Sequence, residues 1–123
     1  MTNVSGETGR VFLHLRIRAA PGQRAALLAF LREATPLYER PGGIRMHLLE
    51  SADAPDRFVE IVEYADGATF ARDQERVHTD PELMATLARW RTLLAGAVDV
   101  ETWIERDGWL RGGGIRGEQG TEQ

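Results

Sequence analysis

Three features of this 123-residue sequence predict an α+β domain with the element order β-α-β-β-α-β. Four segments alternate with period two, two regions between them carry apolar residues at helical spacing, and Pro/Gly turns mark the changes of period. The length suits one domain with one core.

The first strand is Val11 to Arg18, where Val11, Leu13, Leu15 and Ile17 alternate with Phe12, His14, Arg16 and Arg18. Pro21-Gly22 breaks the alternation, and Leu27, Phe30, Leu31, Ala34, Leu37 and Tyr38 then form one helical stripe. Pro36 lies inside that stripe, so a kink or an end of the regular helix is expected near Thr35. After Pro41-Gly42-Gly43, Ile44, Met46 and Leu48 alternate with Arg45, His47 and Leu49 as a second strand. Ala52 to Asp56 suits a hairpin connection, and Phe58 to Tyr64 is the third strand, with Val59 and Ile61 on one side and Phe58, Glu60, Val62 and Tyr64 on the other.

A second helical region starts at Gly67 and divides at Thr79-Asp80-Pro81-Glu82, a capping-box match with proline where helices begin. Leu83, Leu87, Trp90 and Leu94 are the apolar stripe of its later piece, Gly96 stops it, and Val98 to Glu105 alternates as the fourth strand. This order is the split βαβ, or ferredoxin-like, motif: a four-stranded antiparallel sheet with both helices on one face. Residues 1–10 read as a flexible N-terminal segment, 11–105 as the domain, and 106–123, with six glycines, as a C-terminal tail. The open face is expected to mix Phe12, Phe58, Val62, Leu49 and Trp103 with charges, which favours a homodimer packed sheet on sheet.

Composition removes several classes. The net charge of −4 argues against nucleic acid and anionic bilayers as partners. There is no cysteine, so no thiolate chemistry, and no lysine, so no Schiff base. Neither serine, Ser5 or Ser51, lies in a G-x-S-x-G elbow. No apolar run approaches the roughly 20 residues that span a bilayer, and the polar start lacks a signal-peptide core, so a cytoplasmic location is expected.

By strand parity, the open face is expected to gather His14 and Arg16, Arg45 and His47, Glu60 and Tyr64, and Glu101 and Trp103. The motif puts strand three between strands one and two, which would set Glu60 between His14 and His47. Such a group reads either as an acid/base pair in a shared cavity or as a charge-compensated dimer interface. Two histidines and a carboxylate are also the residue types of a metal site, but no short ligand motif supports one, and no metal is expected. His78, at the helix break, either meets the last carbonyls of its helix or joins Tyr64 at a cleft between helices and sheet. Trp90 belongs to the core stripe, whereas Trp103, among Asp99, Glu101 and Glu105, packs across a dimer or lines a pocket. Arg16, Arg18 and Arg45 are either carboxylate grips or surface ion pairs.

The strand ending at Pro21-Gly22, the stretch Glu39-Arg40-Pro41-Gly42-Gly43-Ile44, Glu63-Tyr64 closing strand three and the helix start at Ala68-Thr69-Phe70 together resemble the antibiotic biosynthesis monooxygenase-like family of the dimeric α/β-barrel superfamily. The resemblance covers roughly residues 11–105. It implies a homodimer with no cofactor that oxidises a small aromatic or quinol-type compound with dioxygen, after the substrate loses a proton and gives an electron to oxygen. Tyr64 matches the aromatic that closes the family's third strand. Haem-degrading relatives use an asparagine, a tryptophan and a histidine where Leu15, Asp73 and Leu87 stand here, so that route is not implied.

On this basis His47, Glu60, Tyr64 and His78 are the candidate catalytic residues, and His14, Arg16, Arg45 and Trp103 the candidate ligand-binding ones. Glu60 or a neighbouring histidine would take the substrate proton, Tyr64 would donate to the developing oxyanion, and Arg16 or Arg45 would balance charge. A non-catalytic dimeric module that binds a small ligand, and an isomerase or cyclase on the same scaffold, are the alternatives.

Overall fold

The computed structural model describes residues 3–112. Its elements run β1 (Val11–Arg18), α1 (Arg24–Glu39), β2 (Ile44–Glu50), β3 (Arg57–Tyr64), α2 (Gly67–Thr79), α3 (Pro81–Thr92), β4 (Asp99–Ile104) and a short α4 (Asp107–Leu110). The strands form one antiparallel sheet in the order β2-β3-β1-β4, so β3 does lie between β1 and β2.

Local chemistry sets the boundaries. Gly42 and Gly43 take positive φ values of 88° and 73°, which let the chain reverse from α1 into β2 within a few residues. Asp66 caps α2 by accepting from the Thr69 amide at 2.8 Å and hydroxyl at 2.7 Å. Asp80 caps α3 by accepting from the Glu82 amide at 3.0 Å, with Pro81 in the first turn. The expected division of the second helical region is therefore present. Of the two outcomes expected near Thr35, a kink or an end of the regular helix, the end does not occur: α1 continues through Pro36 to Glu39. Arg32 and Pro36 are both exposed, so water can take the carbonyl that loses its intrahelical donor.

Register decides which side chains meet the helices. Val11, Leu13, Leu15 and Ile17 of β1 stand opposite Tyr64, Val62, Glu60 and Phe58 of β3. On β2, Ile44 and Met46 join the same face opposite Tyr64 and Val62. Two core clusters result. One packs Ile17 and Phe58 with Leu27, Phe30, Leu31 and Trp90; the other packs Val11, Ile44, Val62 and Tyr64 with Phe70 and Val4. Leu15 touches both.

Val4 corrects the expected flexible N-terminal segment. It is 5 % exposed, and residues 3–10 lie along the start of α2, where the Gly67 amide donates to the Glu7 carbonyl at 2.9 Å. An apolar residue near the end of a polar run gives little sequence signal, yet it completes the core under Phe70. Of the expected tail, Asp107–Leu110 is helical, and residues 113–123 lie outside the described residues.

The strap along α2 depends on Gly67, because a Cβ there would stand 1.7 Å from the Val4 carbonyl oxygen. Gly67→Ala should therefore lower stability by about 2 kcal/mol despite alanine's better helix propensity, and Val4→Ala by a similar amount. Since both changes release the same strap, the double variant should lose less than the sum of the two in urea denaturation; full additivity would contradict the shared contact.

Candidate functional site

Between the two core clusters the helices stand off the sheet and leave a cavity of about 310 Å³. Its walls are largely apolar, from Leu13 and Leu15 of β1, Met46 of β2, Val77 of α2 and Leu87 of α3 among others. Arg91 of α3 and Val100 of β4 are the exposed residues of the lining, so the cavity opens on that side. The polar side chains that reach it are Tyr38, Glu60, Tyr64, Asp73, Gln74 and Arg91.

Glu60 is the central group. The pairing of Leu15 with Glu60 turns this carboxyl inward, where it is 3 % exposed. The Trp90 indole N–H donates to its Oε2 at 2.6 Å, and among the described residues no other hydrogen bond satisfies it. Burial pushes its pKa up to about 7, and the Trp90 hydrogen bond opposes that rise only in part. A carboxyl so poised, with one oxygen unengaged in an apolar cavity, can exchange a proton with a bound molecule near neutral pH.

Tyr64 is placed differently from Glu60. It is 1 % exposed, its hydroxyl donates to Asp73 Oδ2 at 2.7 Å, and Gln74 donates to the hydroxyl in turn. Arg76 holds the other oxygen of Asp73 at 3.0 Å and donates to the backbone carbonyl of Leu37. Burial first and Asp73 second raise the Tyr64 pKa. Its proton is thus already committed to Asp73, and the donor expected of Tyr64 for an oxyanion is engaged within the fold. Tyr38 differs: it lines the cavity, and its hydroxyl has no hydrogen-bond partner among the described residues. Burial and the nearby Glu60 raise its pKa, while Arg89 and Arg91 pull it back.

The expected grouping on the open face is corrected by the β1–β3 register. His14 and His47 each stand opposite Ile61, so Ile61 separates the two imidazoles, and Phe58, Glu60, Val62 and Tyr64 all lie on the helix side rather than the open face. The parity of β3 was ambiguous because Val59 and Ile61 are as apolar as Phe58 and Val62; the charges of Arg57 and Glu63, in phase with Val59 and Ile61, are what mark that side as outward. The carboxylate that does meet a histidine there is Glu63, whose Oε1 lies 2.8 Å from His47 Nε2. The His47 hydrogen bond, with help from Arg10, lowers the Glu63 pKa. Arg10 donates to Glu63 at 3.1 Å and to Glu105 at 2.6 Å, so a charge chain crosses all four strands.

Beside that chain, Arg16 pairs with Glu101 at 3.3 Å, and the His14 and Trp103 rings stand 6.0 Å apart. Arg45 is exposed on the same face. His78 is exposed in the last turn of α2 and is not part of the cavity lining, so the structure does not bring it to Tyr64. The sequence reading missed Tyr38, Asp73, Arg76 and Arg91. Tyr38 counted as helix stripe, and its signal was a hydroxyl at the end of an otherwise aliphatic stripe.

A family model for antibiotic biosynthesis monooxygenase matches residues 10–78. Among solved structures, SnoaB from Streptomyces nogalater, a cofactor-independent oxygenase, is similar with a TM-score of 0.67 and 19% identity, over 80% of this chain and 94% of that one. Rv0793 from Mycobacterium tuberculosis is similar with a TM-score of 0.63 and 24% identity, over 80% and 96%. The protein SO0527 from Shewanella oneidensis gives 0.63 and 21% identity, over 80% and 92%. At these identities the likeness is one of fold. No curated protein matches the sequence.

The Glu60 environment has a consequence for stability. The folded protein holds this proton up to about pH 7, whereas an unfolded chain releases it near 4.5. Between those values the folded state binds more protons, so stability falls as pH rises through that window. Glu60→Gln keeps an acceptor for Trp90 and has no such proton. Compared with this variant, the wild type should lose up to about 3 kcal/mol of unfolding free energy from pH 4.5 to pH 8. Parallel pH profiles in urea titrations would show that Glu60 does not titrate in this way.

Proposed function

The chain belongs to the antibiotic biosynthesis monooxygenase family, and on that premise we propose that it is a cofactor-independent monooxygenase whose active site is the cavity between sheet and helices, with a small hydroxyaromatic or quinol-type compound as substrate. The observation that carries this reading is Glu60: a buried carboxyl with a pKa raised to about 7 and one oxygen free toward an apolar cavity.

In the proposed reaction Glu60 takes the substrate's phenolic proton. The phenolate gives one electron to dioxygen, and the radical pair combines at a ring carbon to form a peroxide. Glu60 returns its proton to the distal peroxide oxygen. Loss of the ring C–H proton then breaks the O–O bond, leaving a quinone carbonyl and one water, so each oxygen atom is accounted for. The apolar walls favour this course because they exclude water from the radical pair and because an uncharged ring fits them. A cavity of about 310 Å³ is at the small end of ligand sites, which suits one compact ring system.

The open sheet face serves a second copy of the chain in this proposal. Phe12, Leu49, Val59, Ile61 and Trp103 supply apolar area, with Leu49 54% and Trp103 53% exposed, and the ion pairs of Arg10, Arg16, His47, Glu63 and Glu101 form the polar part of the surface. His14, Arg16, Arg45, His47 and Trp103 are then interface residues rather than groups that touch substrate. A binding module without turnover is the second reading, and it shares the cavity.

Oxygen uptake with hydroquinones and dihydroxynaphthalenes separates the two. The enzyme reading expects consumption that Glu60→Gln lowers at least a hundredfold, with kcat/KM rising as pH increases through about 7, since the base must be ionised. Melting shifts without uptake would instead support the binding module. For the assembly, light scattering should give twice the chain mass for the wild type and a single-chain mass for Trp103→Asp; a monomeric wild type would remove the sheet-on-sheet pairing.

A further inference from the structure

The rim of the cavity holds a cation with no assigned task. Arg91 lines the opening from α3, and among the described residues it makes no ion pair, hydrogen bond or ring contact. Its neighbour Arg89 provides a contrast: it pairs with Glu33 at 3.8 Å and lies over the Phe30 ring at 5.1 Å, outside the lining. The other carboxyl group of the cavity wall, Asp73, is taken by Arg76 and Tyr64. Arg91 therefore faces a largely apolar space in which it pairs with neither Asp73 nor Glu60.

Tyr38 lines the same cavity as this cation and the buried acid. Glu60 is buried at 3% exposure, Tyr38 is half-buried and Arg91 is exposed at the opening. The three groups thus run in order from the cavity interior to its mouth: acid, unpartnered hydroxyl, unpartnered guanidinium. A ligand that satisfied all three would bring an exchangeable proton, a hydrogen-bond acceptor and an anion.

Resting on the proposed active site, we propose that the cavity selects hydroxyaromatic compounds bearing a carboxylate, which Arg91 holds at the opening while Tyr38 donates to a ring oxygen and Glu60 faces the phenolic proton. Guanidinium recognises carboxylate through two parallel N–H donors, and the apolar wall behind it strengthens that pairing over one in open water. Held by its anionic end, the ring enters with the hydroxyl leading, so Arg91 and Tyr38 decide both which rings bind and which end reaches the acid.

Calorimetric titration without oxygen tests this apart from turnover, with 2,5-dihydroxybenzoate and hydroquinone as probes at pH 7.5. The wild type should bind the carboxylated probe about tenfold more tightly. Arg91→Gln, a change at an exposed position, should abolish that preference while leaving hydroquinone within twofold, and Arg91→Lys should restore part of it. Tyr38→Phe should weaken both probes alike. Added salt should shrink the wild-type preference. Equal affinities in the wild type, a preference that survives Arg91→Gln, or binding of neither probe would overturn the inference. Selective binding with no oxygen consumption in air would refute the oxygenase and leave anion selection standing; equal oxygen consumption with both probes would do the reverse.

Discussion

The β1–β3 register is the constraint on which the rest of this molecule depends. It sets Val11 against Tyr64, Leu13 against Val62 and Ile17 against Phe58, all on the helix side. A slip of one residue would send those β3 side chains to the open face and bury Arg57 and Glu63 in their place, and burying unpaired charges costs several kcal/mol each. The apolar pairs therefore fix the register, and Glu60 is carried inward with them. Its burial is imposed by its neighbours in the strand and would not be chosen for stability alone.

What surrounds Glu60 separates the groups that build the fold from those left free to act. Tyr64, Asp73 and Arg76 are mutually satisfied, and Arg76 ties α2 to the end of α1 through the backbone carbonyls of Leu37 and Tyr38. Such a network holds the cavity wall in one arrangement. Glu60 has a single donor, Trp90, and Tyr38 has none among the described residues. Buried polar groups are normally paired, so those that are not, when they face the same space, are the groups left open to a partner from outside the fold.

Much of the fold was legible because period and punctuation agree. β1 alternates with Phe12 its one apolar residue on the outward side, Pro41-Gly42-Gly43 and Asp80-Pro81 fall where helices stop and start, and the order of elements and strands follows. The site was less so, for a reason located in β3. Both of its faces carry large apolar residues, because one covers the core and the other is half-buried on the open side, so composition alone does not orient it. A single charge among Phe58, Val62 and Tyr64 was the available clue that the apolar phase held a buried carboxyl. Val4 and Arg91 gave weaker signals still. One is apolar in a polar segment and the other polar on a helix surface, and only tertiary placement reveals that the first completes a core and the second rims a cavity.

The two surfaces of β3 are not independent. Successive residues alternate between cavity and open face, so Glu60 is flanked in sequence by Val59 and Ile61, and Ile61 stands between the two imidazoles on the other side. The charge chain from Glu105 through Arg10 and Glu63 to His47 stitches β4, β1, β3 and β2 together on that side. Partly exposed ion pairs of this kind add little stability one by one, yet each favours only the register that brings its partners opposite. The outer charges and the inner apolar pairs therefore select the same alignment from opposite faces. A sheet defined twice in this way can carry an unpaired acid at its centre, since no alternative pairing relieves the burial of Glu60 without breaking contacts on both sides at once.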